Sequence, residues 1–168
     1  MAMTCATNQT RTPNARSTMT DINADTDRKI DELVRHYFRD LEINCATTTI
    51  KILGEFLGLE VSPQVLDSTV GLNGAGQHGA QCGLVEGGLM FLGMIGRERG
   101  ISDDDIVAAC DRYATEFERE FGSMICSVLR PEGFNDDNPP HICEPVSCRA
   151  VKFSNRFVRE FVGDKSDK

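Results

Sequence analysis

Apolar residues recur every three or four positions along most of this chain, and that spacing predicts helices. Over roughly 26–41 the inward set is Ile30, Leu33, Val34, Tyr37, Phe38 and Leu41, with Arg28, Asp31, Glu32, Arg35 and Arg39 on the other face. Asp25 or Thr26 can cap this helix, and His36 falls beside its polar face, where solvation is the expected state. Asn44 can cap a second helix that carries Cys45 in its first turn, turns Ile50, Leu53 and Leu57 inward and stops at Gly58. Ser62-Pro63 then opens a short helix to about Val70. The segment 82–97 is apolar nearly all round, which predicts a central helix. Its Gly87, Gly88, Gly93 and Gly96 weaken helix propensity, so close packing against neighbours is expected to compensate.

Ser102 caps the next helix in a pattern like a capping box with Asp105, and Asp103, Asp104 and Asp105 match the dipole of its first turn. Its stripe runs through Ile106, Val107, Cys110, Tyr113, Ala114, Phe117 and Phe121, with Cys110 read as core. Gly122-Ser123 breaks the pattern before a short helix carrying Met124, Ile125, Cys126, Val128 and Leu129. A polar stretch over 131–145 reads as loop, and the last helix spans about 146–162. No segment alternates convincingly as a strand. The fold expected is therefore an all-α, single-domain helical bundle of about five to seven helices over residues 25–163. Residues 1–24 are poor in large apolar side chains and are expected to be a disordered tail, Met19 being an alternative start and Cys5 a bystander; 164–168 are expected to be a disordered end.

Composition narrows the function classes. The 168 residues are 40% hydrophobic with a net charge of −8, which allows a sizeable core and disfavours a nucleic-acid partner. No stretch is long enough to span a bilayer and no signal-peptide pattern opens the chain, so a cytoplasmic protein without membrane insertion is expected. Seven cysteines are many for such a chain. In a reducing compartment that excess points to metal, cluster or redox use.

The candidate chemistry centres on the glycine-rich run from Gly71 to Gly88, where Gly74, Gly76, Gly79 and Gly83 surround Cys82. These glycines let backbone come close to a thiol or a cofactor. A cysteine at a helix start faces unpaired N–H groups, which favours the thiolate. Cys45, Cys126 and Cys148 also fall near helix starts, and one end of a bundle could gather all four, but the absence of any Cys-x-x-Cys pair leaves spacing silent on this. His78 and His141 read as loop residues rather than ligands. Glu86 is either a general base or a dipole match in the helix's first turn. The loop lacks the Lys-Ser/Thr of a phosphate-binding loop, and Asp136-Asp137-Asn138 lacks the glycine and glutamate of a calcium loop.

Asn44-Cys45-Ala46, Cys82-Gly83-Leu84-Val85-Glu86-Gly87, Phe121-Gly122-Ser123 with Cys126 and Leu129, and Cys148-Arg149-Ala150-Val151 together resemble the redox-active family named for four cysteines and a Cys-Gly-Ala-x-x-Gly motif. The resemblance covers about 40–160. Leu84 stands where the motif has alanine and adds bulk beside the thiol. The Ala150-Val151 pattern assigns the fourth family cysteine to Cys148 and leaves Cys143 as an extra. The family is also similar to a domain of split-Soret cytochromes, which implies that Cys45, Cys82, Cys126 and Cys148 hold an iron–sulfur cluster for electron transfer. Covalent c-type haem is not expected, because Cys-x-x-Cys-His is absent.

Two other readings stand beside the cluster. In one, Cys82 attacks a disulfide or peroxide and Cys45 or Cys126 resolves it, with Cys143 and Cys148 as a regulatory pair. In the other, a non-enzymatic binding or assembly module uses its cysteines as core filler or zinc ligands, with nitrogen donors from His78 or His141. The expected partner is a redox protein or a small thiol or disulfide. One sequence fixes neither enzyme against electron carrier nor the oligomeric state, a homodimer included.

Overall fold

The computed structural model describes residues 19–130, 132, 134 and 140–163. It is all-α: α1 (Met19–Arg35), α2 (Cys45–Leu57), α3 (Pro63–Ser68), α4 (Gly74–Gln77), α5 (Gly83–Glu98), α6 (Asp103–Phe121), α7 (Cys126–Leu129) and α8 (Glu144–Phe161). Among the described residues the only pairing of extended backbone is an isolated antiparallel bridge between Gln81 and Ile125.

The expected caps form. Asn44 accepts a hydrogen bond from Thr47 N, Ser62 from Val65 N and Ser102 from Asp105 N. Gly58 and Gly122 end α2 and α6 in the left-handed region. Two boundaries differ: α1 begins at Met19, ahead of the expected start near 26, and widens into a π-helical turn over His36–Asp40, while a 3-10 turn over Pro140–Cys143 leads into α8 within the stretch expected as loop. Of the expected tail, residues 1–18, with Cys5, lie outside the described residues, as do 164–168.

Helix α5 is central, as its all-round apolarity implied. Phe91 and Leu92 are fully buried, and the helix packs against α2, α6 and α8. Its glycines explain how closely. A Cβ on Gly87 would lie 2.7 Å from Ala46 O, one on Gly88 2.2 Å from Tyr113 Oη, and one on Gly96 2.6 Å from Ile106 Cγ1. Gly93 is different: nothing lies within 4 Å of its would-be Cβ, so close packing does not explain that glycine. Around Tyr113 the rings of Phe117, Phe153 and Phe157 pack at 5.2–6.1 Å between centroids.

Helix α1 lies along α8, with Ile30 and Val34 buried against Val151, and ion pairs flank that contact. Arg39 and Arg35 meet Glu144 at 2.6 and 3.5 Å, and Lys152 meets Asp31 at 2.7 Å. The first pairing fixes the start of α8, the end of that helix nearest the site. No helix among the described residues is long and apolar enough to cross a membrane.

Candidate functional site

The glycine run does not form a simple open loop. Gly74, Ala75, Gly76 and Gln77 have φ of 68°, 51°, 70° and 66°, one turn in the left-handed sense. Ala75 and Gln77 are not glycine, and each bears a cost of about 1–2 kcal/mol for this conformation. Hydrogen bonds from Gly76 N to Gly71 O, Gln77 N to Asn73 O and Gly79 N to Gly74 O offset part of it. The turn seats Gly74 against the third cysteine: a Cβ there would lie 2.9 Å from Cys126 Sγ. Gly79 faces Ser127, while Gly76 has open space beside it.

Beyond the turn, residues 79–82 run antiparallel to 124–127. Cys126 N donates to Ala80 O, Ser127 N to Gly79 O and Cys82 N to Met124 O, at 2.6–3.0 Å. This short pairing puts Cys82 and Cys126 side by side although they are far apart in sequence. The Cys82 thiol donates a hydrogen bond to Cys126, which raises the Cys82 pKa, with burial adding to the rise. The same bond lowers Cys126 below the usual thiol range, and Arg130 assists while burial and the Glu86 charge oppose. Both residues are buried, each 4% exposed. The acidic member is therefore Cys126. Cys82 caps α5, as the sequence implied, but burial and its role as donor outweigh the helix dipole.

A cavity of about 420 Å³ opens over this pair. Its wall includes four cysteines, Cys45, Cys82, Cys126 and Cys143, together with Arg130 and Phe134. Leu84, the residue in place of the motif's alanine, also lines it and is buried. Cys45 is the first residue of α2, and its Sγ would be 2.5 Å from a Cβ on Gly83. Burial is the main reason the Cys45 thiol is pushed up to about 12, followed by the charge of Cys143. Cys143 is the residue capping α8, and Arg130 Nη1 donates to its Sγ at 3.9 Å.

Cys148, the residue assigned as the fourth family cysteine, is not part of this wall. It packs with Ile30, Val34, Phe38, Ile52 and Val151 in a second apolar cluster and is pushed up to about 12, first by burial and then by its hydrogen bond to Asp31. Cys143 ends the 3-10 turn Pro140–Cys143 ahead of α8, whereas Cys148 lies inside the helix; both pack against the second cluster, but only Cys143 also reaches the cavity wall. Val146, three residues after Cys143, does line the cavity. That three-residue spacing was the signal in the sequence that favours Cys143. Neither His78 nor His141 lines the cavity, and Cys110 packs against the main core.

Sequence reasoning also missed what holds Cys45. Beyond capping α2, Asn44 donates through Nδ2 to Thr69 O and Val70 O at 3.0 and 3.1 Å. Thr47 Oγ1 meets buried Thr69 Oγ1 at 2.6 Å. One amide thus joins the start of α2 to the lead-in of the glycine run.

Among the described residues no three His, Cys, Asp or Glu side chains converge as ligands of one metal ion. The donor set does suit a larger group: four soft thiols around one cavity are the ligands an iron–sulfur cluster takes. A family model described as "Putative redox-active protein (C_GCAxxG_C_C)" matches residues 43–157, a span that takes in every cysteine of the cavity wall. No curated protein and no solved structure matches the chain.

Proposed function

This chain belongs to the redox-active C_GCAxxG_C_C family, and from that premise we propose that it exchanges thiol and disulfide through Cys126 and Cys82. The observation that carries this reading is the backbone pairing of 79–82 with 124–127, which sets those two cysteines side by side in the wall of one cavity. A thiolate on Cys126 attacks one sulfur of a substrate disulfide, and the first thiolate leaves. Cys82 then attacks Cys126 Sγ, the second substrate sulfur departs, and the Cys82 proton goes to a leaving thiolate. The substrate gains two electrons, and the protein is left with a Cys82–Cys126 disulfide. Arg130 favours the starting thiolate. The interaction with Cys126, with burial adding to it, keeps Cys82 protonated until Cys126 is engaged.

The test is peptide mapping after the reduced, chelator-treated protein meets glutathione disulfide. Cys82 and Cys126 are expected to lose reactivity toward N-ethylmaleimide together and to appear as one crosslinked peptide. Both remaining alkylatable would overturn the exchange reading.

A second reading uses the same cavity. Cys45, Cys82, Cys126 and Cys143 surround it, and as thiolates they would hold an iron–sulfur cluster supplying reversible one-electron transfer. In that role Arg130 offsets ligand charge at Cys126 and Cys143. Protein purified without oxygen is then expected to contain iron and sulfide and to absorb in the visible. Colourless, iron-free protein from that preparation excludes it.

A further inference from the structure

Two thiols of the cavity wall have no part in the exchange between Cys82 and Cys126. We propose that Cys45 and Cys143 form a second redox pair, which takes over the disulfide made by Cys126 and Cys82 and so doubles the number of electrons the protein can deliver. The inference rests on the exchange reading above.

The placement of the four sulfurs supports it. Cys45 packs against Gly83, the residue following Cys82, with no room for even a methyl group between them. Arg130 links the other two, because it donates to Cys143 Sγ and stands beside Cys126. Each member of the second pair thus adjoins the first pair, and both members line the same cavity. Both sit at helix starts, Cys45 opening α2 and Cys143 capping α8. Cys45 and Cys143 also pack against one apolar cluster formed by Ile30, Val34, Phe38, Ile52 and Val151.

The transfer needs no outside reductant. Cys143 Sγ attacks Cys126 Sγ, the Cys82–Cys126 bond breaks, and Cys82 leaves with the proton that Cys143 gave up. Cys45 Sγ then attacks Cys143 Sγ, and Cys126 leaves with the Cys45 proton. One disulfide has become another, and the thiol count is unchanged. The first pair is reduced again and can meet a second substrate disulfide. The oxidised protein carries a covalent link between the starts of α2 and α8.

The experiment titrates the reduced, chelator-treated full chain with glutathione disulfide, quenches with N-ethylmaleimide and maps the crosslinked peptides. Four thiols are expected to be lost, with Cys82–Cys126 forming first and Cys45–Cys143 following. In Cys45→Ser the loss is expected to fall by half, to two thiols, with Cys82–Cys126 as the crosslink that forms. In Cys126→Ser, oxidation of Cys45 and Cys143 is expected to slow at least tenfold, because the entry thiol is gone. Closure of Cys82–Cys126 with Cys45 and Cys143 still free overturns the relay and leaves the exchange reading standing. Pairing of Cys143 with Cys148 instead of Cys45 also overturns it. Absence of any crosslink overturns both.

Discussion

A Cβ at position 83 would lie 2.4 Å from Leu72 O and 2.5 Å from Cys45 Sγ, so the glycine after Cys82 is a steric requirement of the thiol cavity. Backbone cannot move aside as a flexible side chain can, and overpacking of this kind costs about 1–3 kcal/mol. Gly83→Ala is expected to lower stability by that order in urea denaturation and to raise the alkylation rate of Cys45 as the wall opens. Unchanged alkylation of Cys45 would mean that the contact is not what confines it. The acidity of the pair belongs to this scale too. Because the Cys82 hydrogen bond is the largest cause holding Cys126 below the usual thiol value of 9.0, Cys82→Ala is expected to move the midpoint of Cys126 alkylation to higher pH. An unmoved midpoint would assign the acidity to Arg130 alone. The sequence marked Cys82 as the acidic thiol because a helix start favours a thiolate. It could not show that Cys82 would be the buried donor and Cys126 the acceptor.

Helix α2 and the glycine run meet at Asn44, and the two elements depend on the same side chain. Its Oδ1 caps Thr47 N, while its Nδ2 bonds two carbonyls of the other segment. Loss of an N-cap costs about 1 kcal/mol, and a carbonyl left without a partner adds to this where it is shielded from water. Asn44→Ala is therefore expected to destabilise the protein by about 1–3 kcal/mol in urea denaturation and to slow closure of the Cys82–Cys126 disulfide. Asn44→Asp keeps the cap but cannot donate, so recovery of stability without recovery of closure would separate capping from positioning. Helix boundaries and caps were legible because each depends on a few adjacent residues, as at Ser62-Pro63, Ser102 and Gly122. The start of α1 was less so, since nothing before Asp25 has a strong apolar period. At α8 the apolar stripe was legible, but which of Cys143 and Cys148 reaches the cavity was not.

Across the whole molecule, burial suppresses ionisation of most of the thiols. Cys45, Cys110, Cys143 and Cys148 are raised first by burial, as is Tyr113 in the core, whereas at Cys82 the interaction with Cys126 comes before burial. A group whose folded pKa lies above its unfolded value stabilises the fold fully below the unfolded pKa, and this contribution is lost as pH rises through the folded one. For Cys45 and Cys148 that window runs from 9.0 to about 12. Unfolding free energy is thus expected to fall steadily across this range, and a flat profile would contradict the burial of these groups. Cys126 has the opposite sign: its contribution is present above the unfolded pKa and is lost as pH falls through the lowered folded value.

Local patterning determined the all-α class, the central position of α5, most caps and the nomination of Cys45, Cys82 and Cys126, because periodicity and capping are encoded within a few neighbouring residues. The family resemblance added the redox class on motifs that are likewise local. Only the tertiary structure decided that Cys82 and Cys126 touch, through a backbone pairing of segments more than forty residues apart. It also decided that Cys143 rather than Cys148 completes the wall, and that Arg130 and Asn44 hold the thiols in place. Those outcomes depend on which faces of distant elements meet. Packing sets that, and spacing along the chain does not.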